Sequence, residues 1–101
     1  MEALGTRHNF DLVAKDRSGA VLAIEVKLVK ARGGRMPNGE IQRFLGQCAI
    51  ASAILTSAIG VCGYLGTLNP KYQNDTQALI KWGERNSINL VFRAIGSLKE
   101  D

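Results

Sequence analysis

Asp11, Glu25 and Lys27 are the residues whose types and spacing could do chemistry. Glu25 and Lys27 stand two apart in the run 20–29, Ala-Val-Leu-Ala-Ile-Glu-Val-Lys-Leu-Val, which is β-branched and apolar and reads as a strand. Side chains on a strand alternate faces, so Glu25 and Lys27 share a face with Val21 and Ala23. Leu22, Ile24, Val26 and Leu28 are expected to point the other way, into a core. Two charges on an apolar strand are costly to bury without partners. The bland alternative is a strand end emerging into water. Asp11 weighs against it. Thirteen residues separate Asp11 from Glu25, and residues 9–14 form a second short apolar run. Asp16-Arg17-Ser18-Gly19 has the chemistry of a turn. The resulting hairpin brings Asp11 beside Glu25. Neighbouring carboxylates repel unless a cation lies between them. A hard ion such as Mg²⁺ takes one or two carboxylates, a backbone carbonyl and waters. Asp11, Glu25 and the carbonyl of Val26 make such a set. Lys27, one ladder step on, is placed to polarise a water or to meet charge building on a phosphate.

The elements that must position these groups follow in order. After the hairpin, residues 31–39 (Ala-Arg-Gly-Gly-Arg-Met-Pro-Asn-Gly) read as a flexible loop. Asn38 is the expected cap of a helix from about Gly39 to Leu55. Ile41, Phe44, Leu45, Cys48, Ser52 and Leu55 recur at helical spacing. Ala49, Ala51 and Ala53 leave the second half of this helix apolar on nearly every side, so burial between layers is expected. Ile59 to Leu65 is a third strand, with Asn69-Pro70 as loop punctuation after it. A second helix, capped by Asn74 or Asp75, should reach about Arg85. Residues 88–95 form a last strand. The fold class is α/β, with a mixed central sheet flanked by helices in the order β-β-α-β-α-β. The hairpin is antiparallel, and a helical crossover makes the next pairing parallel.

A chain of 101 residues makes one small domain, and 46% hydrophobic residues support a packed core. The net charge is +4. Between positions 27 and 43, Lys27, Lys30, Arg32, Arg35 and Arg43 face the single acid Glu40, an excess equal to that of the whole chain. A polyanion is the natural partner of so focused a field, and Lys30, Arg32, Arg35 and Arg43 are the expected phosphate contacts. Cys48 and Cys62 lie in apolar runs with neither a Cys-x-x-Cys nor a histidine cluster, which points to reduced packing residues, a cytoplasmic setting and no zinc. Phe44 to Pro70 carries no charge, but its polar residues and glycines favour a buried helix and strand over a membrane span. The first ten residues show no apolar signal segment. His8, close to Asp11, is read as a surface histidine. Trp82, Tyr64 and Tyr72 are read as packing residues, and Gly33-Gly34 lacks the Gly-Lys-Ser/Thr of a phosphate loop.

With these residues in place, the chain resembles the PD-(D/E)XK nuclease superfamily, also called restriction-endonuclease-like. Asn9-Phe10-Asp11-Leu12-Val13-Ala14 resembles its "PD" strand, with Phe10 where the proline stands. Ile24-Glu25-Val26-Lys27 resembles its "(D/E)XK" strand, and the likeness extends over roughly residues 9–65. The resemblance implies a restriction-endonuclease-like core and Mg²⁺-dependent hydrolysis of DNA phosphodiester bonds, with Mn²⁺ as a substitute. It makes Asp11, Glu25 and the Val26 carbonyl the metal ligands and Lys27 the residue that assists the water. Some members carry a Gln-x-x-x-Tyr pair on the following helix. Gln47 matches its first position and Ala51 stands at its second, so Gln47 joins the catalytic candidates. Glu40 and Arg43 share its stripe; a solvated helix edge is an equal reading for Gln47 and the favoured one for Glu40 and Arg43. The family core begins with a helix and a strand ahead of the motif aspartate. Here ten residues precede Asp11, room for little more than one helical turn. A truncated chain, a layer supplied by a partner and a reduced N-terminal layer are all open, and Glu2 is a poor stand-in for the glutamate of that helix. Cutting both strands of a duplex needs two sites, so a homodimer is expected. Two rivals remain: a catalytically inactive nucleic-acid-binding module of the same fold, and a homo-oligomeric interaction domain without a nucleic-acid role.

Overall fold

The computed structural model describes residues 10–96, together with the backbone of two short strands, β1 (Glu2–Ala3) and β2 (Thr6–Arg7). Those two pair as a two-residue antiparallel ladder. His8, and the side chain of Glu2, lie outside the described residues.

The main sheet has four strands, β3 (Leu12–Lys15), β4 (Val21–Lys30), β5 (Ala58–Leu65) and β6 (Ile88–Gly96), in that spatial order. Helix α1 (Asn38–Leu55) joins β4 to β5, and α2 (Pro70–Arg85) joins β5 to β6. The β3–β4 pair is antiparallel and the other two pairs are parallel. The fold is thus α/β with a mixed sheet and the order β-β-α-β-α-β over these elements. Asp16 makes the hairpin turn: its Oδ1 accepts from Ser18 N, Ser18 Oγ and Ala20 N, and Gly19 takes a φ of 86°.

Each crossover steps one strand in the same direction, and right-handed crossovers then place both helices on one face of the sheet. The contacts agree. A Cβ on Gly60 would meet Phe44 and Cys48 of α1 and Leu90 of β6, and a Cβ on Gly83 of α2 would meet the same Leu90. Under the helices lie Val29, Phe44, Cys48, Cys62, Ile88 and Leu90, with a smaller cluster of Ala23, Ala51 and Ala58. Tyr64, Tyr72 and Trp82 pack at the margin of the main cluster, as expected of packing residues.

The covered face of β4 is therefore the one that carries Ala23, Glu25 and Val29, all buried. The expectation that Leu22, Ile24, Val26 and Leu28 enter a core is overturned: among the described residues that face has no covering layer, and Leu28 is 66% exposed. Nor is α1 enclosed between layers. Ile50 and Ala53 are exposed on its outer side.

Two further boundaries differ. Helix α2 starts at Pro70, not near Asp75, because Asn69 caps it: the Asn69 side chain accepts from Tyr72 N at 2.7 Å, and Pro70 suits the first helical position. Helix α1 begins at Asn38 behind Pro37 and has no side-chain cap. The loop before it is an ordered turn. Arg32 and Arg35 exchange both backbone hydrogen bonds across Gly33 and Gly34, whose φ angles are 62° and 78°. Both cysteines are buried thiols.

Candidate metal centre

Glu25 lies in the middle of β4, paired in register with Gly60 on β5. Gly60 has no side chain, so α1 comes down close to the sheet there, and Phe44 and Cys48 close over the strand. Glu25 is 1% exposed beneath them. On its other side, the hairpin register pairs Leu12 with Ile24. Continued by one residue, it sets Asp11 opposite Glu25. Asp11 stands one residue ahead of β3, exposed to solvent.

The Asp11 carboxylate is tied into the sheet by one oxygen. Its Oδ2 accepts from Val26 N at 2.8 Å. The N–H and C=O of one strand residue point to the same edge, so the Val26 carbonyl also faces the side on which Asp11 sits. Both carboxylates act on Cys48. Its thiol is pushed up to about 12, first by burial and then by the negative charges of Glu25 and Asp11. The thiol of Cys62, two residues beyond Gly60, rises to about 11, chiefly through burial.

Lys27 follows on the same face as Glu25, about 7 Å further along the strand. Its Nζ meets Glu40 Oε1, in the first turn of α1, at 3.3 Å. Sequence reasoning left Glu40 on a solvated helix edge. The signal was present: the chain returns to α1 through a seven-residue connection after β4, which brings the first helical turn back over the strand's end. Gln47 is seven residues on from Glu40 and so lies on the same stripe of α1. Gln47 is exposed there.

The basic residues are spread more widely. Lys30, Arg32, Arg35 and Arg43 are all exposed. Lys30 lies five residues along β4 from Glu25, about 16 Å away. Arg32 and Arg35 flank the Gly-Gly turn, and the Arg35 guanidinium sits 6.0 Å from the centre of the Tyr72 ring. Arg43 is on the outer side of α1. The four do not converge on the two acids; they line the end and flank of the domain beyond Lys27.

Among the described residues, no three His, Cys, Asp or Glu side chains converge on one point. The donors expected here from the sequence are two carboxylates and a carbonyl. That suits a hard ion that keeps most of its waters and suits zinc poorly. No helix of the described residues is long and apolar enough to cross a membrane. Compared with known protein families, curated proteins and solved structures, the chain finds no match.

Proposed function

We propose that this domain is a Mg²⁺-dependent DNA endonuclease of the PD-(D/E)XK type. The observation that carries the reading is the hydrogen bond from Val26 N to Asp11, which ties an aspartate from one strand to the backbone next to Glu25 on another. Asp11, Glu25 and the Val26 carbonyl would hold the ion. When bound, the ion lowers the pKa of a coordinated water and neutralises phosphoryl oxygens. Asp11 enters this role already oriented, because one oxygen is fixed by the backbone and the other is left for the metal. Lys27 carries its ammonium along the same face, towards the water and the scissile phosphate. Glu40 restrains that ammonium while leaving it partly exposed. Gln47 would orient the water or a phosphate oxygen from the helix stripe above. Arg43, Lys30, Arg32 and Arg35 would contact backbone phosphates on either side. A homodimer would present two such sites to a duplex.

The test is cleavage of supercoiled and linear duplex DNA with Mg²⁺, with Mn²⁺ and with EDTA, comparing the parent with Asp11→Asn, Glu25→Ala and Lys27→Ala. Metal-dependent cleavage should fall by a factor of about 10²–10⁴ in each variant. A parent that binds DNA with a steep salt dependence, does not cut, and binds as well after Glu25→Ala and Lys27→Ala would replace this reading with that of a non-cutting nucleic-acid-binding module.

A further inference from the structure

Lys27 stands between two carboxylates. Glu25 precedes it by two residues on the same face of β4, and Glu40 faces it from the first turn of α1. A lysine stem of four flexible methylenes can carry its ammonium to either acid. The ammonium goes to Glu40, with Nζ 3.3 Å from Oε1. Glu40 is the one acidic residue of α1, so no neighbour on the helix can take its place.

The connection that presents Glu40 has little freedom. The β4 ladder runs on past Lys30, with Ala31 N donating to Leu65 O at 2.7 Å. Arg32 and Arg35 then bond to each other in both directions, and Asn69 N donates to Gly34 O at 2.9 Å, which ties the turn to the start of α2. Met36 is buried, Ile41 N donates to Pro37 O, and Ile41 and Phe44 are core residues. The first turn of α1 is thus anchored on both sides of Glu40. The paired side chains are 33% and 38% exposed, and an ion pair so open to solvent adds little to stability. Its consequence lies in where it keeps the ammonium.

We propose, resting on the Mg²⁺ reading of Asp11, Glu25 and the Val26 carbonyl, that Glu40 is a positioning residue: it holds the Lys27 ammonium off Glu25 and so preserves that carboxylate as a metal ligand. An ammonium two residues along the same face and a divalent cation are rival counter-charges for one carboxylate. Glu25 is 1% exposed, so solvent screens such an attraction weakly and the rivalry is strong. With the charge of Glu40 removed, Lys27 has no acid above it on α1. Its ammonium then turns back along the strand towards Glu25, and an entering ion must first displace it. Glu40 therefore sets the affinity of the centre for its metal without touching the metal.

Mn²⁺ binding to the full chain, read from the electron paramagnetic resonance signal of the free ion, tests this, with far-UV circular dichroism to confirm folding. The parent should bind Mn²⁺, and Glu25→Ala should abolish binding. Glu40→Gln should weaken binding at least about fivefold. Lys27→Met removes the rival charge, and in that background Glu40→Gln should change the affinity by less than about twofold. A direct attraction between Glu40 and the ion would instead persist without Lys27. Glu40→Gln that binds like the parent, or that weakens binding equally in the Lys27→Met background, would overturn the positioning role and leave the metal centre standing. A parent that takes up no Mn²⁺, or binds it undiminished after Glu25→Ala, would remove the metal centre and the role of Glu40 together.

Discussion

Replacing Gly60 by alanine should unseat α1 from the sheet over the candidate metal centre. The added methyl would lie 2.6 Å from Cys48 Sγ, 2.8 Å from Leu90 Cδ2 and 3.0 Å from Phe44 Cζ. Ordinary contacts between such atoms fall near 3.5–4.0 Å, so each neighbour must retreat by roughly 1 Å. None has room to do so, since Phe44, Cys48 and Leu90 are all core residues. Over-packing of this kind costs about 1–3 kcal/mol. For a domain of this size each kcal/mol lowers Tm by roughly 4–8 °C, so a fall of about 10 °C is expected. The closest clash is with the Cys48 sulfur, and Cys48→Ala removes it. Cys48→Ala alone should destabilise by opening a small cavity, yet combined with Gly60→Ala it should recover part of the loss. A coupling of about 1 kcal/mol is expected between these touching sites. Urea denaturation of the parent, both single variants and the double variant measures all the terms. Gly60→Ala within about 0.5 kcal/mol of the parent, or strictly additive losses, would refute the argument that α1 seats directly on Gly60.

Two other perturbations probe the fold independently. Asn69→Ala removes the acceptor of Tyr72 N at the start of α2 and should cost about 0.5–2 kcal/mol in urea denaturation, with Asn69→Ser retaining most of the stability. Burial raises both thiols above their ordinary value of 9.0, Cys48 to about 12 and Cys62 to about 11. The folded chain therefore keeps two protons that the unfolded chain releases above pH 9. Their contribution to stability is intact below pH 9 and declines from there through about pH 11–12. Denaturation midpoints measured from pH 8 to 11 should fall, Cys48→Ala should flatten the fall, and a thiol reagent at neutral pH should label the cysteines only as fast as the chain unfolds.

The hairpin was legible because local chemistry sets its register. The Asp16–Gly19 turn is closed by Asp16's own hydrogen bonds, and once it is closed Asp11 must come opposite Glu25. The ends of the helices were less legible. Asn69-Pro70 reads equally well as a loop or as a cap followed by the first helical residue, and only the packing of Tyr72 and Thr76 on the inner side of α2 distinguishes the two. Gly33-Gly34 suggested flexibility, yet two positive φ angles in succession close a tight turn with Arg32 and Arg35 bonded across it. Lys27–Glu40 joins a strand to a helix at right angles to any sequence periodicity, so neither residue carried a sign of the other beyond the shortness of the intervening turn.

By itself the sequence determined the order of the elements, the mixed character of the sheet, and the set of Asp11, Glu25 and Lys27 on one hairpin. These follow from turn residues and from alternation along a strand, which are properties of neighbouring residues. Which face of β4 would be covered was decided only in three dimensions. Its even-numbered face is the more apolar, yet both crossovers turn the same way and bring both helices to the odd-numbered one. The absence of a side chain at Gly60, with Ala23 and Ala58 nearby, lets α1 settle there and enclose Glu25. Alternation tells which side chains stand together; the handedness of the connections tells which group is covered, and that is a property of the whole chain.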